Sequence, residues 1–251
     1  MLCAMSERDG FQHGVPCWVD TWQDEIPAAF YTGLFGWDAQ VGDEYTLFQH
    51  RGLDVAGAGK PAAGGAAWTT YMWVDDADAV AERVVEAGGR LVRQPFDSLD
   101  GGRMAIVADP AGALFGVWQL GEHRGARVIN EPGAWAMSAL STPDPEGANA
   151  FYGAVFGWET EAFGPATLYR LPGYFGGEPT QPVARDVIAV MMAGEQAAWM
   201  PDFWVHDADA AAETAARLSG TVIAPPADTG VGRTGVLVDP AGAVFSVSKV
   251  L

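Results

Sequence analysis

Three side chains on the first predicted strand are the leading candidates for acid–base chemistry or ligand binding in this chain. Trp18, Asp20 and Trp22 alternate there, so all three face the same side of a sheet. Asp20 is the one carboxylate in a stretch that is otherwise mostly apolar. If buried, its pKa rises and it can act as a base; if charged, it can be the counter-ion of a ligand amine. The alternative is an aspartate that only accepts hydrogen bonds from neighbouring backbone.

The same alternation adds residues from other predicted strands to this surface. On the N-terminal side they are Thr69, Tyr71 and Trp73, followed by Gly116 and Trp118, and on the C-terminal side Trp135, Met137, Met200, Asp202 and Trp204. Aromatic walls stack on planar ligands, and a carboxylate can fix an amine. The residues predicted to bind ligand are Trp18, Asp20, Trp22, Tyr71, Trp73, Trp118, Trp135, Met137, Met200 and Trp204. The alternative left open is that these side chains only fill the interior as core.

Other catalytic layouts are missing from the sequence. It contains no GxSxG motif, no glycine-rich phosphate loop after a strand and no Cys-His pairing. The histidines lie in positions typical of solvated, turn or capping residues, namely His13, His50, His123 and His206. The only cysteines are Cys3 and Cys17, which form neither a disulfide framework nor a metal-finger spacing. No catalytic residue and no metal ligand set is therefore assigned from these patterns.

The overall charge limits the classes of molecule that this protein is expected to bind. With 14 basic and 32 acidic residues the formal net charge is −18, which repels nucleic acid and anionic lipid. Acidity of this kind favours solubility, and it also attracts cationic ligands weakly. The first residues lack a basic start followed by an apolar run, and no stretch is apolar enough to span a bilayer. The expected location is the cytoplasm, and the expected partner is a small aromatic molecule.

The sequence motifs that mark the helices and turns around these strands occur twice in the chain. AAFYTGLFGW around Phe30 matches NAFYGAVFGW around Phe151 at an offset of 121 residues. DPAGALF and DPAGAVF, which start at Asp109 and Asp239, match at an offset of 130, and the acidic helix starts at Val74 and Val205 match at 131. A nearly constant offset that changes by about ten residues indicates a duplicated domain with one insertion.

Each half repeats a strand-helix-strand-strand-strand unit twice. In the first half, helices are predicted over 28–34 and 76–87, with Gly36 as the C-terminal cap of the first. The chain is therefore predicted to be α+β, with two tandem domains at 14–121 and 134–251 joined by a linker at 122–133. The insertion is predicted between Leu171 and Pro182, as a surface ornament or a lid.

The order of these motifs resembles the vicinal oxygen chelate superfamily, which includes glyoxalases, extradiol dioxygenases and bleomycin resistance proteins. The resemblance rests on FY..LFGW after a first strand and DP.G..F before a last strand, in both halves. GVPCWVD followed by FYTGLFGW is similar to a two-domain actinobacterial branch that includes drug-binding proteins of anthracycline pathways. This resemblance implies paired βαβββ units that curl each half into a cup, an incomplete barrel where relatives place a divalent metal and a substrate.

The family's metal-ligand positions do not hold metal ligands in this chain. They fall at Pro16, Thr69 and Gly116 in the first half and at Met137, Met200 and Ser246 in the second. A shift of one residue adds only Cys17 as a serious ligand. The sequence therefore predicts a protein that needs no metal and no other cofactor.

Three functions follow from these patterns. The first is metal-free binding and sequestration of a planar hydrophobic molecule, such as an antibiotic or a biosynthetic product, for self-resistance or as a pathway accessory. The second is a metal-independent lyase, isomerase or hydroxylase-like enzyme in which Asp20, Tyr71 or Tyr169 moves a proton. The third is a structural or signalling protein with filled cups. The protein is expected to be a monomer with pseudo-twofold halves or a homodimer.

Overall fold

The computed structural model describes residues 7–60, 66–98, 102–119, 121–175, 186–230 and 232–250. It has four helices in this part of the chain, α1 Ala28–Phe35, α2 Ala77–Glu86, α3 Pro145–Phe156 and α4 Ala208–Arg217. The strands of the N-terminal half are β1 Pro16–Trp22, β2 Asp38–Val41, β3 Tyr45–His50, β4 Leu53–Gly59, β5 Ala67–Trp73, β6 Arg90–Asp97, β7 Arg103–Ala108 and β8 Leu114–Gln119. Those of the C-terminal half are β9 Trp135–Thr142, β10 Glu159–Phe163, β11 Ala166–Arg170, β12 Val187–Ala193, β13 Ala198–Trp204, β14 Thr221–Thr229, β15 Gly232–Val238 and β16 Val244–Val250.

Each half forms one eight-stranded mixed sheet. The strand order is β2-β3-β4-β1-β5-β8-β7-β6 in the first sheet, and β10-β11-β12-β9-β13-β16-β15-β14 in the second. In each sheet two βαβββ units meet through the antiparallel pairing of their first strands, β1 with β5 and β9 with β13. The predicted α+β architecture with two repeated units per half is confirmed, and neither sheet closes into a barrel.

Local sequence explains where the helices begin and end. The side chains of Asp76 and Asp207 accept hydrogen bonds from the backbone N–H three residues later, which satisfies the first turns of α2 and α4. Gly36 and Gly157 end α1 and α3 in the left-handed conformation, at φ 71° and 74°, which a glycine adopts without strain. The predicted cap at Gly36 is confirmed, and the predicted helix boundaries differ from the observed ones by only one residue.

The two halves pack through the faces of their sheets that carry the helices. α1 packs against α4, and α2 packs against α3, so the arrangement follows a pseudo-twofold axis. Where the halves meet, the hydroxyl groups of Thr70 and Ser138 lie 2.7 Å apart. The cups are the opposite faces of the two sheets.

The repeated sequence motifs bind the halves to each other. The hydroxyl of Tyr31, from the first FY motif, donates to Oδ2 of Asp239 in the second DPAG turn at 2.6 Å. Reciprocally, the Tyr152 hydroxyl donates to Oδ2 of Asp109 at 3.2 Å. All four side chains are buried, so the pairs satisfy polar groups that water cannot reach. The motifs that mark the duplication therefore also join the two domains.

The predicted insertion lies only partly within the described residues. Leu171 follows β11, and the chain is described as far as residue 175, whereas residues 176–185 lie outside the described part. A lid over a cup at this position stays a prediction. In the described ranges, no helix is long and apolar enough to cross a membrane.

Candidate functional site

The N-terminal cup is the sheet face that carries Trp18, Asp20, Tyr45, Tyr71 and Trp118. Its polar groups form a chain of hydrogen bonds that ends at the carboxyl group of Asp20. The indole N–H of Trp18 donates to the Tyr45 hydroxyl at 3.0 Å, and that hydroxyl donates to Oδ2 of Asp20 at 3.2 Å. The aspartate therefore hydrogen-bonds to side chains of this cup, and not to neighbouring backbone as one alternative held.

Side chains fill the N-terminal cup. Trp18 and Tyr71 are 2% and 1% exposed, and Trp118 is 5% exposed. The rings lie directly on glycines of the sheet, since a Cβ at Gly57 would be 1.8 Å from the Tyr45 hydroxyl oxygen and one at Gly116 would be 2.1 Å from the Tyr71 ring. Trp22, which is partly exposed, lies on Gly59 in the same way and donates to the Tyr71 hydroxyl at 3.1 Å.

The linker between the halves closes this cup. The His123 ring lies 4.7 Å from that of Trp18, edge-on, and stacks on Trp118 at 5.2 Å. Its Nε2 is 3.6 Å from Oδ2 of Asp54, and the linker is fixed by the bond from Ala126 N to the Cys17 carbonyl. The sequence suggested a solvated His123; the structure instead places it against two cup residues.

Burial controls the charge of Asp20. The side chain is 3% exposed, and this burial raises its pKa from 3.8 to about 7, partly offset by hydrogen bonds from Tyr71 and Tyr45. Its Oδ1 has no hydrogen-bond partner among the described residues. The same burial, together with the nearby Asp20, raises the pKa of both phenols. The cup therefore holds a titratable group, but solvent does not reach it.

The C-terminal cup is the sheet face that carries Ala139, Ser141, Met200, Asp202 and Ser248. The repeat offsets identify the equivalent positions of the two cups. At an offset of 121, Trp18 corresponds to Ala139 and Tyr45 to Ala166. Trp118 corresponds to Ser248 at an offset of 130, and Tyr71 to Asp202 at an offset of 131. Ala139, Ala166, Asp202 and Ser248 are all partly exposed, whereas Trp18, Tyr71 and Trp118 are buried. Replacing wide rings by small side chains leaves this face partly exposed to solvent.

Asp202 is the titratable group of the open cup. Its Oδ1 accepts hydrogen bonds from the hydroxyl groups of Ser246 at 2.6 Å and Ser248 at 2.8 Å, both on the parallel neighbour β16. Desolvation raises its pKa from 3.8 to about 6, and the two serines lower it. Within the described residues its Oδ2 has no hydrogen-bond partner, and it is not a buried atom. The geometry thus leaves one carboxylate oxygen without a partner among the described residues, on a side chain that is partly exposed.

Apolar side chains surround Asp202. Met137 lies directly opposite it on β9, and Met200 and Trp204 flank it on the same side of β13. Met192 on β12, opposite Ser141, is 47% exposed. Thioether side chains are flexible and polarisable, so they adapt to irregular ligands. The open cup therefore combines an adaptable apolar surface with a single polar group.

Trp135 is not in the cup. The alternation predicted that it faces the cup with Met137, but the register of β9 with β13 shifts between Asp202 and Phe203, so Phe203 lies opposite Trp135. Trp135 is 3% exposed and belongs to the core cluster that includes Phe203 and Phe245. Its indole N–H donates to the Met137 carbonyl at 2.8 Å. A bulge of one residue turns the side chain to the other face.

The remaining predicted residues lie in different parts of the protein. Trp73 is partly buried against the core cluster at the end of β5, close to Gly10 of the N-terminal segment. Tyr169, the alternative proton carrier, is fully buried among core residues on the side of the helices, where burial raises its pKa. Asp20 and Tyr71 lie in the filled cup. The sequence placed Asp202 on the cup face but gave the polar role to Asp20.

A small cavity of about 40 Å³ lies where β9 and β12 begin. Its size suits a few water molecules rather than a polycyclic ligand. It borders the open cup at Met137 and is otherwise formed by Phe11, Val15, Pro16, Ile129, Asn130, Trp135, Ala136, Tyr174, Val187 and Ile188.

The positions that hold the metal in related cups do not fit one here. In the N-terminal cup the Tyr71 ring occupies the space beside Gly116, and in the C-terminal cup Ser246 donates its hydroxyl to Asp202. No group of three His, Cys, Asp or Glu side chains that could hold a metal ion occurs among the described residues. Cys17 is fully buried, and burial raises the pKa of its thiol. Independence from metal stays a prediction, which metal analysis can test.

Two curved eight-stranded sheets, each made of two βαβββ units around a cup, define a two-domain protein of the vicinal oxygen chelate superfamily. Within it, the chain belongs to the family of the glyoxalase-like domain, whose sequence pattern matches residues 18–118 and 123–248. The resemblance predicted from the repeated motifs is confirmed.

Named relatives span nearly the whole chain. CFP32 of Mycobacterium bovis, a candidate glyoxylase by name, is 40% identical over 98% of both proteins. The anthracycline biosynthesis protein DnrV of Streptomyces peucetius is 37% identical over 94% of both. Among solved structures, the Mn(II)-bound glyoxalase of Novosphingobium aromaticivorans superposes with a TM-score of 0.66 at 15% identity, covering 95% of this chain and 83% of that one. At that identity the likeness concerns the fold alone.

Proposed function

We propose that this protein binds a planar, apolar small molecule in its C-terminal cup and holds it without changing it. The observation that carries this proposal is the exchange of the rings of Trp18, Tyr45 and Trp118 for Ala139, Ala166 and Ser248 between the two cups. The exchange leaves one cup filled by its own side chains and the other open. A single ligand per chain follows from this difference.

The chemistry of the open cup suits an aromatic natural product. Met137, Met200 and Trp204 offer soft and aromatic surface, and the single carboxyl of Asp202 can orient a polar substituent. The name of DnrV, which is 37% identical to this chain, supports a product or intermediate of antibiotic biosynthesis as the ligand class. Sequestration of such a molecule would protect the host or relieve product inhibition.

Binding of this kind needs no metal. The donor set at the family's ligand positions, with methionine and serine in the C-terminal cup, is unsuited to the hard or borderline divalent ions of the relatives. The apolar surface and the carboxyl group are sufficient to hold a ligand. Metal analysis of the purified protein tests this part of the proposal, and a stoichiometric metal ion would contradict it.

The test is to fill the open cup with the ring that fills the other. Isothermal titration calorimetry with an anthracycline should give one site per chain in the wild type and no measurable binding for Ala139→Trp. The matched control is Ala162→Trp, which adds the same ring at an exposed position of β10 and should bind like the wild type. Retained binding in Ala139→Trp, or two equal sites per chain, would contradict the proposal.

A second candidate function is proton transfer by Asp202. Its free Oδ2 and its pKa of about 6, raised by burial, suit a general base acting on a ligand bound in the cup. An assay for turnover separates the two functions, because sequestration saturates at one ligand per chain whereas catalysis continues beyond it. Conversion of excess ligand that is lost in Asp202→Asn would favour the enzyme.

A further inference from the structure

We propose that the C-terminal cup selects ligands that carry a protonated amine beside an apolar ring surface, with the ammonium group bound to Oδ2 of Asp202. This inference rests on the proposed binding function and specifies the chemical class of the ligand. It also moves the polar contact from Asp20, where the sequence placed it, to the opposite half of the protein.

The first support is the geometry of the carboxyl group. Ser246 and Ser248 both donate to Oδ1 of Asp202, at 2.6 and 2.8 Å, which fixes the plane of the carboxyl and leaves the two oxygens unequal. Oδ2 has no hydrogen-bond partner among the described residues and is not a buried atom. A carboxylate oxygen accepts but does not donate, so a ligand that completes this site must bring a donor.

The second support is the absence of a counter-charge within the described residues. The causes that set the pKa of Asp202 are its desolvation and the two serine hydroxyls, and no basic side chain contributes. At neutral pH the group is mostly ionised, because its pKa is about 6. A partly desolvated carboxylate without a cation is unfavourable, and an ammonium group offsets that cost.

Cations on neighbouring strands are engaged elsewhere. Arg170 on β11 pairs with Glu161 and Asp186. Arg233 on β15 pairs with Asp209 of α4 and with Asp228, on the side of the sheet that faces the helix.

The groups that face Asp202 from the elements packed against it are uncharged. They are Met137 on β9, Ser246 and Ser248 on β16, and Met200 and Trp204 on its own strand. Lys249, which follows Ser248, interacts with Asp209 and thus lies toward α4. The pH response of the cup is therefore expected to come from Asp202.

The third support is the position of Trp204. It follows Asp202 by two residues on β13 and is partly exposed, and no aromatic side chain of the described residues lies against its ring. An ammonium group beside Asp202 can lie over an aromatic face, and ring systems attached to it can stack there. In the N-terminal cup, by contrast, His123 and Trp118 cover the ring of Trp18.

The experiment compares two ligands that differ only in the charged group. We would titrate 9-(aminomethyl)anthracene and neutral 9-(hydroxymethyl)anthracene by calorimetry into the full chain, at about pH 8 and about pH 5. At the higher pH the amine should bind roughly tenfold more tightly or better, because it alone forms an ion pair. At the lower pH Asp202 is protonated, and the preference should shrink to roughly twofold or less.

Two variants test whether the amine preference comes from Asp202. Asp202→Asn preserves the size of the side chain and should abolish the preference for the amine over the alcohol at both pH values. Asp228→Asn removes an exposed carboxylate of the same half outside the cup and should bind both ligands like the wild type. A circular dichroism spectrum of each variant verifies that it is folded.

Each outcome bears on one proposal or on both. An amine preference that survives in Asp202→Asn, or equal affinities in the wild type, would overturn the amine selectivity but leave binding in the cup intact. Failure of both ligands to bind the wild type would overturn the amine selectivity together with the proposed function.

Discussion

Three wide rings in one cup of this protein correspond to small side chains in the other. Trp18, Tyr45 and Trp118 in the N-terminal cup stand at the positions of Ala139, Ala166 and Ser248 in the C-terminal cup. Each cup also has a carboxyl group, but on different strands, Asp20 on β1 and Asp202 on β13. Duplication thus preserved the backbone while the contents of the cups diverged.

The difference between the cups indicates different roles for the two halves. In the first half, the rings of Tyr45 and Tyr71 lie on Gly57 and Gly116. Their hydroxyl groups accept hydrogen bonds from the indole N–H groups of Trp18 and Trp22, so the cup is part of the core. In the second half the equivalent surface is partly exposed. Exposed apolar surface in a concave face usually marks a binding site. Stability is expected to depend mainly on the first cup, and ligand binding on the second.

The largest expected effect is the loss of a ring from the filled cup. Trp18→Ala should lower the free energy of unfolding by about 3–5 kcal/mol, because the side chain is 2% exposed and its removal leaves a cavity. Trp204→Ala in the open cup should cost roughly 1.5 kcal/mol or less, since its ring is already partly exposed. Urea unfolding followed by circular dichroism measures both. Equal losses would contradict the division between the cups.

The pH dependence of stability tests the two carboxyl groups. Because the folded-state pKa of Asp20 is raised from 3.8 to about 7, the folded protein holds an extra proton between these values. The contribution of Asp20 to stability therefore falls as the pH rises through this window and is constant above it. Relative to the wild type, Asp20→Asn should gain stability as the pH rises from about 4 to about 7, by at most roughly 4 kcal/mol.

Asp202→Asn is the matched variant in the open cup. Its gain should end near pH 6 and be smaller, since the pKa rises only to about 6 and the side chain is partly exposed. Urea midpoints at several pH values give both curves. A larger or later gain for Asp202→Asn than for Asp20→Asn would show that the open cup is the more buried of the two in solution.

A smaller effect is expected where the two halves meet. Tyr152→Phe removes the donor to Asp109 and the acceptor of the Trp199 indole N–H, and should cost about 1–3 kcal/mol. Tyr31→Phe should cost less, because Gln23 still donates to Oδ2 of Asp239 at 2.6 Å. Urea unfolding compares the two variants, and equal stability of both with the wild type would show that these reciprocal bonds do not hold the domains together.

Much of the fold could be predicted because its signals are local. The repeated FY and DPAG motifs, the glycine caps such as Gly36 and the acidic helix starts indicated two duplicated α+β halves, as observed. The alternation of residues correctly placed Trp18, Asp20 and Tyr71 on one face of the first sheet. It failed at Trp135, since one bulge in the pairing of β9 with β13 reverses the side on which a residue lies.

The sequence by itself determined the element order, the duplication and the side chains available to each cup. Tertiary structure alone decided that His123 of the linker packs against Trp18, that Tyr31 reaches Asp239 in the other half, and that Asp202 keeps one oxygen free. The physical reason is that patterns of two or three residues fix local conformation, whereas the filling of a cup depends on the volumes of side chains from strands far apart in the chain.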